Sequence, residues 1–228
     1  MSELTDAIRS KGYWRIDIHP VEYVVDRVPY LSLKAVLDRT VVQLRGWDFP
    51  HLDSQGRVSR GSNWLGGETD WSYYREVWRF HQSGQFVYLL AINEDWTDSY
   101  VGLASYPRLP AGFKGLGVAD VLFRVTETFE FASRLSVTEA GAEEIRIEIG
   151  LRNVAGRRLY VDDPRRSPMD NVYSFDEERL ESVVVVSRSD LAGRSRELAL
   201  DATSEFFARF GWQPTRAMLR RQQDELRW

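Results

Sequence analysis

The 228-residue chain has no cysteine, only three lysines and only three histidines. Without cysteine there is no disulfide framework, no thiolate nucleophile, no cysteine-ligated zinc and no iron–sulfur cluster. No stretch approaches the roughly 18 consecutive apolar residues of a membrane span. The first residues, Met1-Ser-Glu-Leu-Thr-Asp6, carry acid where a secretory leader needs a basic start. A cytoplasmic location is therefore expected, with no membrane contact. The formal net charge is −4, too small for bulk electrostatics to name a nucleic acid or a membrane surface as partner.

Catalytic strings are absent as well. There is no G-x-x-x-x-G-K-[ST] and no G-x-G-x-x-G for nucleotide phosphates, and no G-x-S-x-G or S-x-x-K for acyl transfer. His19, His51 and His81 have no histidine four residues on, and no H-x-E occurs. No metal and no cofactor are expected.

What is present suits one domain with a full hydrophobic core, since 43% of residues are hydrophobic and 28% charged. Tyr13–His19 alternates, with Trp14, Ile16 and Ile18 on one face, and predicts a half-buried strand that Pro20 ends. Leu31–Arg39 predicts a short helix and Val41–Trp47 a strand. Asp53–Thr69, rich in glycine, serine and asparagine, predicts a loop. Arg75–His81 and Gln85–Asn93 flank Gln82-Ser-Gly84 and predict a hairpin with Gly84 at positive φ. A second long loop is expected over 94–117.

Val118–Leu135 carries apolar residues at helical spacing and predicts a helix. Glu144–Leu151 alternates, Asn153–Gly156 is a turn, and Arg158–Val161 is expected to pair back. The valine run in Ser182–Ser187 predicts a central strand buried on both faces. Asp190–Phe210 predicts a helix stopped by Gly211, and Pro214–Arg227 a final helix. Hairpins make the sheet mainly antiparallel. The expected fold is α+β, a single domain with helices packed on one face and two helices at the C-terminus.

Gly112-Phe-Lys-Gly115-Leu-Gly117 precedes a helix, so its amides and Lys114 could cradle an anion there. With no strand directly before it, a plain loop is the favoured reading.

One segment is dense in chemistry. Five of the eight tryptophans fall within 47–96, beside Arg45, Asp48, His51, Glu68, Asp70, Arg79 and His81. Three readings compete for it. In the first, Trp14, Trp47 and Trp78 are core, and the arginines pair internally with Asp48, Glu68 or Asp70. In the second, Trp64 and Trp71 stand on a polar loop, 62–71, and with His51, Arg79 and Arg45 form a recognition surface, because a few tryptophan and arginine anchors dominate interfaces. In the third, His51 or His81 works as general base with Asp48, Glu68 or Asp70, as in a hydrolase. No nucleophile or metal cluster accompanies that pair.

In the last helix Arg216, Arg220 and Arg227 lie on neighbouring turns and could meet phosphate, or could be a solvated face. Met218, Leu219, Leu226 and Trp228 need cover, which a second copy or the sheet would supply.

Three strings, Arg45-Gly-Trp-Asp-Phe-Pro-His51, Trp78-Arg-Phe-His-Gln-Ser-Gly-Gln-Phe86 and Thr126-Glu-Thr-Phe-Glu-Phe-Ala-Ser-Arg-Leu135, resemble segments of a bacterial family without an assigned activity. They are similar to regions of proteins that carry Schlafen-type, Alba-like nucleic-acid-associated domains. The resemblance spans roughly residues 12–135. It implies an association with DNA, regulation or phage defence and carries over no site residue. The expectation is a non-catalytic bacterial binding or accessory module with a protein partner, and with nucleic acid as the alternative partner.

Overall fold

The computed structural model describes residues 2–52, 58–71, 74–99, 112–163 and 165–226. Its helices are α1 (Glu3–Arg9), α2 (Leu33–Thr40), α3 (Val118–Ser136), α4 (Arg188–Arg209) and α5 (Arg216–Gln223). Its strands are β1 (Tyr13–Pro20), β2 (Val58–Arg60), β3 (Trp64–Trp71), β4 (Tyr74–His81), β5 (Phe86–Ala91), β6 (Gly115–Gly117), β7 (Glu144–Arg152), β8 (Arg157–Tyr160), β9 (Ser174–Phe175) and β10 (Arg179–Ser187). Seven strands form an antiparallel sheet in the order β10-β7-β1-β5-β4-β3-β2. The fold is α+β, with two C-terminal helices, as expected. Among the described residues no helix is long and apolar enough to cross a membrane.

Alternation decides which face of the sheet is covered. Trp14, Ile16 and Ile18 of β1, Phe86, Tyr88 and Leu90 of β5, and Trp78 and Phe80 of β4 are all buried on one side. There α3 and α4 close the core. Phe131 of α3 meets Phe86 at 4.6 Å between ring centres, and Phe206 of α4 stacks on Trp14 at 5.9 Å. Helix α3 is buried almost all round because α4, α5, α2 and the sheet enclose it. Among the described residues, the opposite face is covered in part by α1, which sets Ile8 on Val77, Leu89 and Ala91, and by Trp96, which packs on the same cluster. A helix of seven residues shows too few turns for a periodic signal.

Several expectations need correction. Val41–Trp47 is not a strand; it bends back so that only Val42 bridges Phe49. The loop expected over 62–71 is strand β3. Its glycines look like loop residues but serve packing: a Cβ at Gly67 would stand 2.6 Å from the indole of buried Trp78. Arg158–Val161 does not pair back on β7. As β8 it pairs in parallel with β6 and antiparallel with β9, in a separate three-stranded sheet. The valine run is not central either. β10 is an edge strand whose Val183 and Val185 remain 45% and 50% exposed. A run of valines reads the same at the edge or the centre, since sequence does not record the number of neighbours. The hairpin, α3, β7 and α4 stand where the periodicity predicts, with Gly84 and Gly211 at φ +85° and +84°.

Candidate functional site

The polar residues of segment 45–81 divide between the two sides of the sheet. Residues opposite each other in an antiparallel pair share a face, so the register settles each position. Trp64, Gly66, Glu68 and Asp70 alternate to the open face of β3, beside Arg75, Arg79 and His81 of β4. Leu65, Thr69 and Trp71 turn to the helical side with Tyr74 and Glu76.

On the open face the Arg79 guanidinium lies 4.5 Å from the ring centre of half-buried Trp64, a cation–π contact. Asp70 pairs with Arg75 Nε at 3.0 Å, and Arg75 also stacks on Trp96 at 4.2 Å. Lys11 approaches the same indole at 4.1 Å. Burial, and then the Arg79 charge, hold the His81 imidazole below its usual range. Neither His81 nor the carboxylates of Glu68 and Asp70 are brought to His51. Asp48 stays at an exposed turn and accepts from Gln43 Nε2 at 2.6 Å.

On the helical side a buried network forms. Glu76 is fully buried, at 0% exposure. Its Oε1 accepts from the His51 backbone N–H at 3.1 Å and Thr69 Oγ1 at 3.3 Å, and lies 3.1 Å from His51 Nδ1. Its Oε2 accepts from the Tyr74 and Tyr88 hydroxyls at 2.9 and 2.6 Å. Those hydroxyls are also 2.8 Å apart. Two hydroxyl protons thus serve three short oxygen contacts. Burial, with the Glu76 charge next, pushes both phenols well above their usual range. The cis Phe49–Pro50 bond leads the chain into this site, and the Trp78 indole N–H holds the His51 carbonyl at 3.0 Å.

Helix α3 supplies the other half. Asp120, Arg124 and Glu127 share one helix face at spacings of four and three. Arg45 grips Glu127 with Nε and Nη2 at 2.9 and 2.6 Å, and reaches Asp120 with Nη1 at 3.0 Å. Arg124 pairs with Asp120 from the other side and lies 6.0 Å from the Tyr74 ring centre. Burial alone would raise the Asp120 carboxyl, but Arg124 and Arg45 outweigh it and hold it low. Burial opposes the charge on both guanidiniums, yet their carboxylate partners win and strengthen it. Buried charges persist only when paired and hydrogen-bonded in this way.

This network reaches the surface at two indoles. Trp47, 47% exposed, lies 5.3 Å below the Arg45 guanidinium. Trp71, 36% exposed, meets the edges of His51 and Tyr74 at 5.1 and 6.2 Å. Contacts run unbroken from Trp47 through Arg45, Asp120, Arg124 and Tyr74 to Trp71. Trp14 and Trp78 are core as expected; Trp47 is not, since it stands in the bend after the turn at Leu44 and is 47% exposed.

Beyond Asp120 a second cluster caps α3. Gly117 at the N-cap has no side chain to offer, so Asp162 supplies both oxygens, to the N–H groups of Ala119 and Asp120 at 2.8 and 2.9 Å. A Cβ at Gly117 would collide with that carboxylate. The helix end proposed as an anion cradle is therefore filled by the protein's own carboxylate, and Lys114 turns away to the Ala155 carbonyl at 3.2 Å. Strand β6 does precede the helix directly. Glu94 accepts from Tyr160 Oη at 3.0 Å and Gly117 N–H at 3.2 Å. Burial first, and the Asp120 charge second, push its carboxyl up to about 7.

In the last helix Arg216 pairs with Asp201, and Arg220 with Glu197 at 3.3 Å. Acids of α4 thus balance both arginines. Leu219 and Leu226 are buried, packed with the main core. Arg227 and Trp228 lie outside the described residues.

Sequence reasoning found Arg45, His51 and Trp71 but missed Glu76, Tyr74, Tyr88, Asp120, Arg124 and Glu127. The Asp120/Arg124/Glu127 spacing along one face of the helix was the available signal. Among the described residues no group of three or more His, Asp or Glu is placed to hold a metal ion. Compared with protein-family models, curated proteins and solved structures, the chain matches none.

Proposed function

We propose that the protein is a non-catalytic binding module that recognises a protein partner in the cytoplasm through the patch of Trp47, Arg45 and Trp71. One observation carries this reading. The two exposed indoles both rest on a single buried network, with Arg45 against one and His51 against the other. Exposed tryptophan beside arginine, already held in place, is what interface hot spots are made of, because little side-chain freedom is lost on binding. Trp64 and Arg79 make a second, smaller platform across the sheet.

The division by the sheet supplies the test. Partners are captured from extract of the source cells on wild-type protein, on a Trp47→Ala/Trp71→Ala variant and on a Trp64→Ala/Arg79→Ala variant. Loss from the first variant alone supports the proposal. Equal capture by wild type and the first variant refutes it.

A second reading, a hydrolase, is favoured by the His51–Glu76 contact. With Nδ1 engaged by a carboxylate, Nε2 is left for proton transfer, the arrangement of a general base. The carboxylate is Glu76, in place of Asp48, Glu68 or Asp70. Turnover of chromogenic esters or phosphodiesters that His51→Asn abolishes, in a folded variant, would establish it.

A further inference from the structure

The exposed edge of the sheet carries a signal independent of this patch. β10 is nine residues long, runs in unbroken register against β7 and contains neither proline nor lysine. Among the described residues no strand pairs with its other side. Natural edge strands are normally short, bulged, charged or covered, because open N–H and C=O groups invite pairing.

Which residues face outward follows from one hydrogen bond. Arg188 N–H donates to Glu143 C=O at 2.8 Å, one step beyond the Ser187–Glu144 pair. In an antiparallel ladder, hydrogen-bonded positions recur every second residue. The even residues 180 to 186 therefore bond to β7. Arg179, Glu181, Val183, Val185 and Ser187 direct their N–H and C=O groups to the open edge. Their side chains share the open face, where Val183 and Val185 are the exposed apolar pair.

We infer that two copies of this chain dimerise by antiparallel pairing of β10 with β10 about a two-fold axis at Val183. This register brings every outward N–H of one copy opposite an outward C=O of the other. Val183 meets itself at the axis, with Val185 diagonal to it, so four valines close over one another. The same register sets Glu181 opposite Val185 of the second copy and brings Glu178, just before the strand, toward Arg188, the first residue of α4, twice. Glu178 is exposed, and Arg188 is half-exposed with only a 3.6 Å contact to Glu143. A strand with an apolar pair at its centre, an acid just before it and a base just after it is complementary to itself. The product is one continuous sheet. Since β3 and β4 lie toward the far edge from β10, the two Trp47–Trp71 patches stand at opposite ends of it and can engage a repeated target together.

Sedimentation velocity and light scattering on the full chain test this. Wild type is expected at twice the 26.5 kDa monomer mass. Val183→Lys sets two like charges against each other at the axis, and Val183→Pro removes an N–H that β7 does not use; each gives a monomer with an unchanged circular dichroism spectrum. Because the chain has no cysteine, Val183→Cys is a disruption-free probe. It forms a covalent dimer on mild oxidation, whereas Val172→Cys, more exposed at 71% against 45% but off the strand, does not. A monomeric wild type, a dimer that survives both Val183→Lys and Val183→Pro, or equal crosslinking at 172 and 183 overturns the inference.

Discussion

At the scale of single residues, the buried carboxylate of Glu76 organises the site. Four donors and the His51 ring nitrogen converge on it from β3, β4, β5 and the chain at His51. Removing it strands those donors in a place water does not reach. Glu76→Ala is expected to cost roughly 3–5 kcal/mol of unfolding free energy, and Tyr74→Phe about 1 kcal/mol, both read from urea transitions. A Glu76→Ala loss below that of Tyr74→Phe would contradict the assignment. Glu94 behaves differently. Its carboxyl is raised from 4.5 to about 7, so the folded chain holds its proton more tightly than the unfolded chain does. The stability it contributes is whole below pH 4.5 and is lost as pH rises through 7. Solvent reaches part of this side chain, which tempers the size but not the sign. Between pH 4.5 and 7, wild type should therefore lose stability relative to Glu94→Gln. A difference independent of pH would refute the coupling.

At the scale of elements, legibility followed periodicity. α3 repeats its apolar residues over 19 positions, and the β4–β5 hairpin alternates about a glycine turn, so both were evident in the sequence. β3 was not, because Gly66-Gly67 mimics a loop. The true reason for Gly67 is the Trp78 indole lying against it, a contact between strands that no single stretch of sequence displays. Gly67→Ala should accordingly cost about 1–3 kcal/mol through overpacking. A neutral result in thermal unfolding would mean that Trp78 can yield. Half of the candidate site was hidden for a related reason. Arg45, His51 and Trp71 stood out in a segment dense in tryptophan and charge, but Asp120 and Glu127, the partners of Arg45, are 75 and 82 residues further on. Their spacing marks a helix face without saying what it meets. Face assignment was likewise out of reach: the alternation of β3 separates Trp64 from Trp71 only once the strand is recognised.

At the scale of the whole molecule, the sheet acts as a partition. One side is sealed by α3 and α4 and ends in the Trp47–Trp71 patch; the other, among the described residues, is covered only by α1 and Trp96. An edge free to pair completes the plan: a rigid platform, one prepared patch and a means of duplicating it. The salt-dependent behaviour of a phosphate-binding helix is not expected from Arg216 and Arg220, since α4 acids already neutralise them. The central claim is that Trp47 and Trp71 carry recognition. Its most direct test is the dissociation constant of the captured partner, by calorimetry, for wild type and for Trp47→Ala and Trp71→Ala singly. Each substitution is predicted to weaken binding by about thirtyfold or more, with the melting temperature kept. An unchanged constant for both, while Trp64→Ala abolishes binding, would move the site to the other side of the sheet and contradict the account.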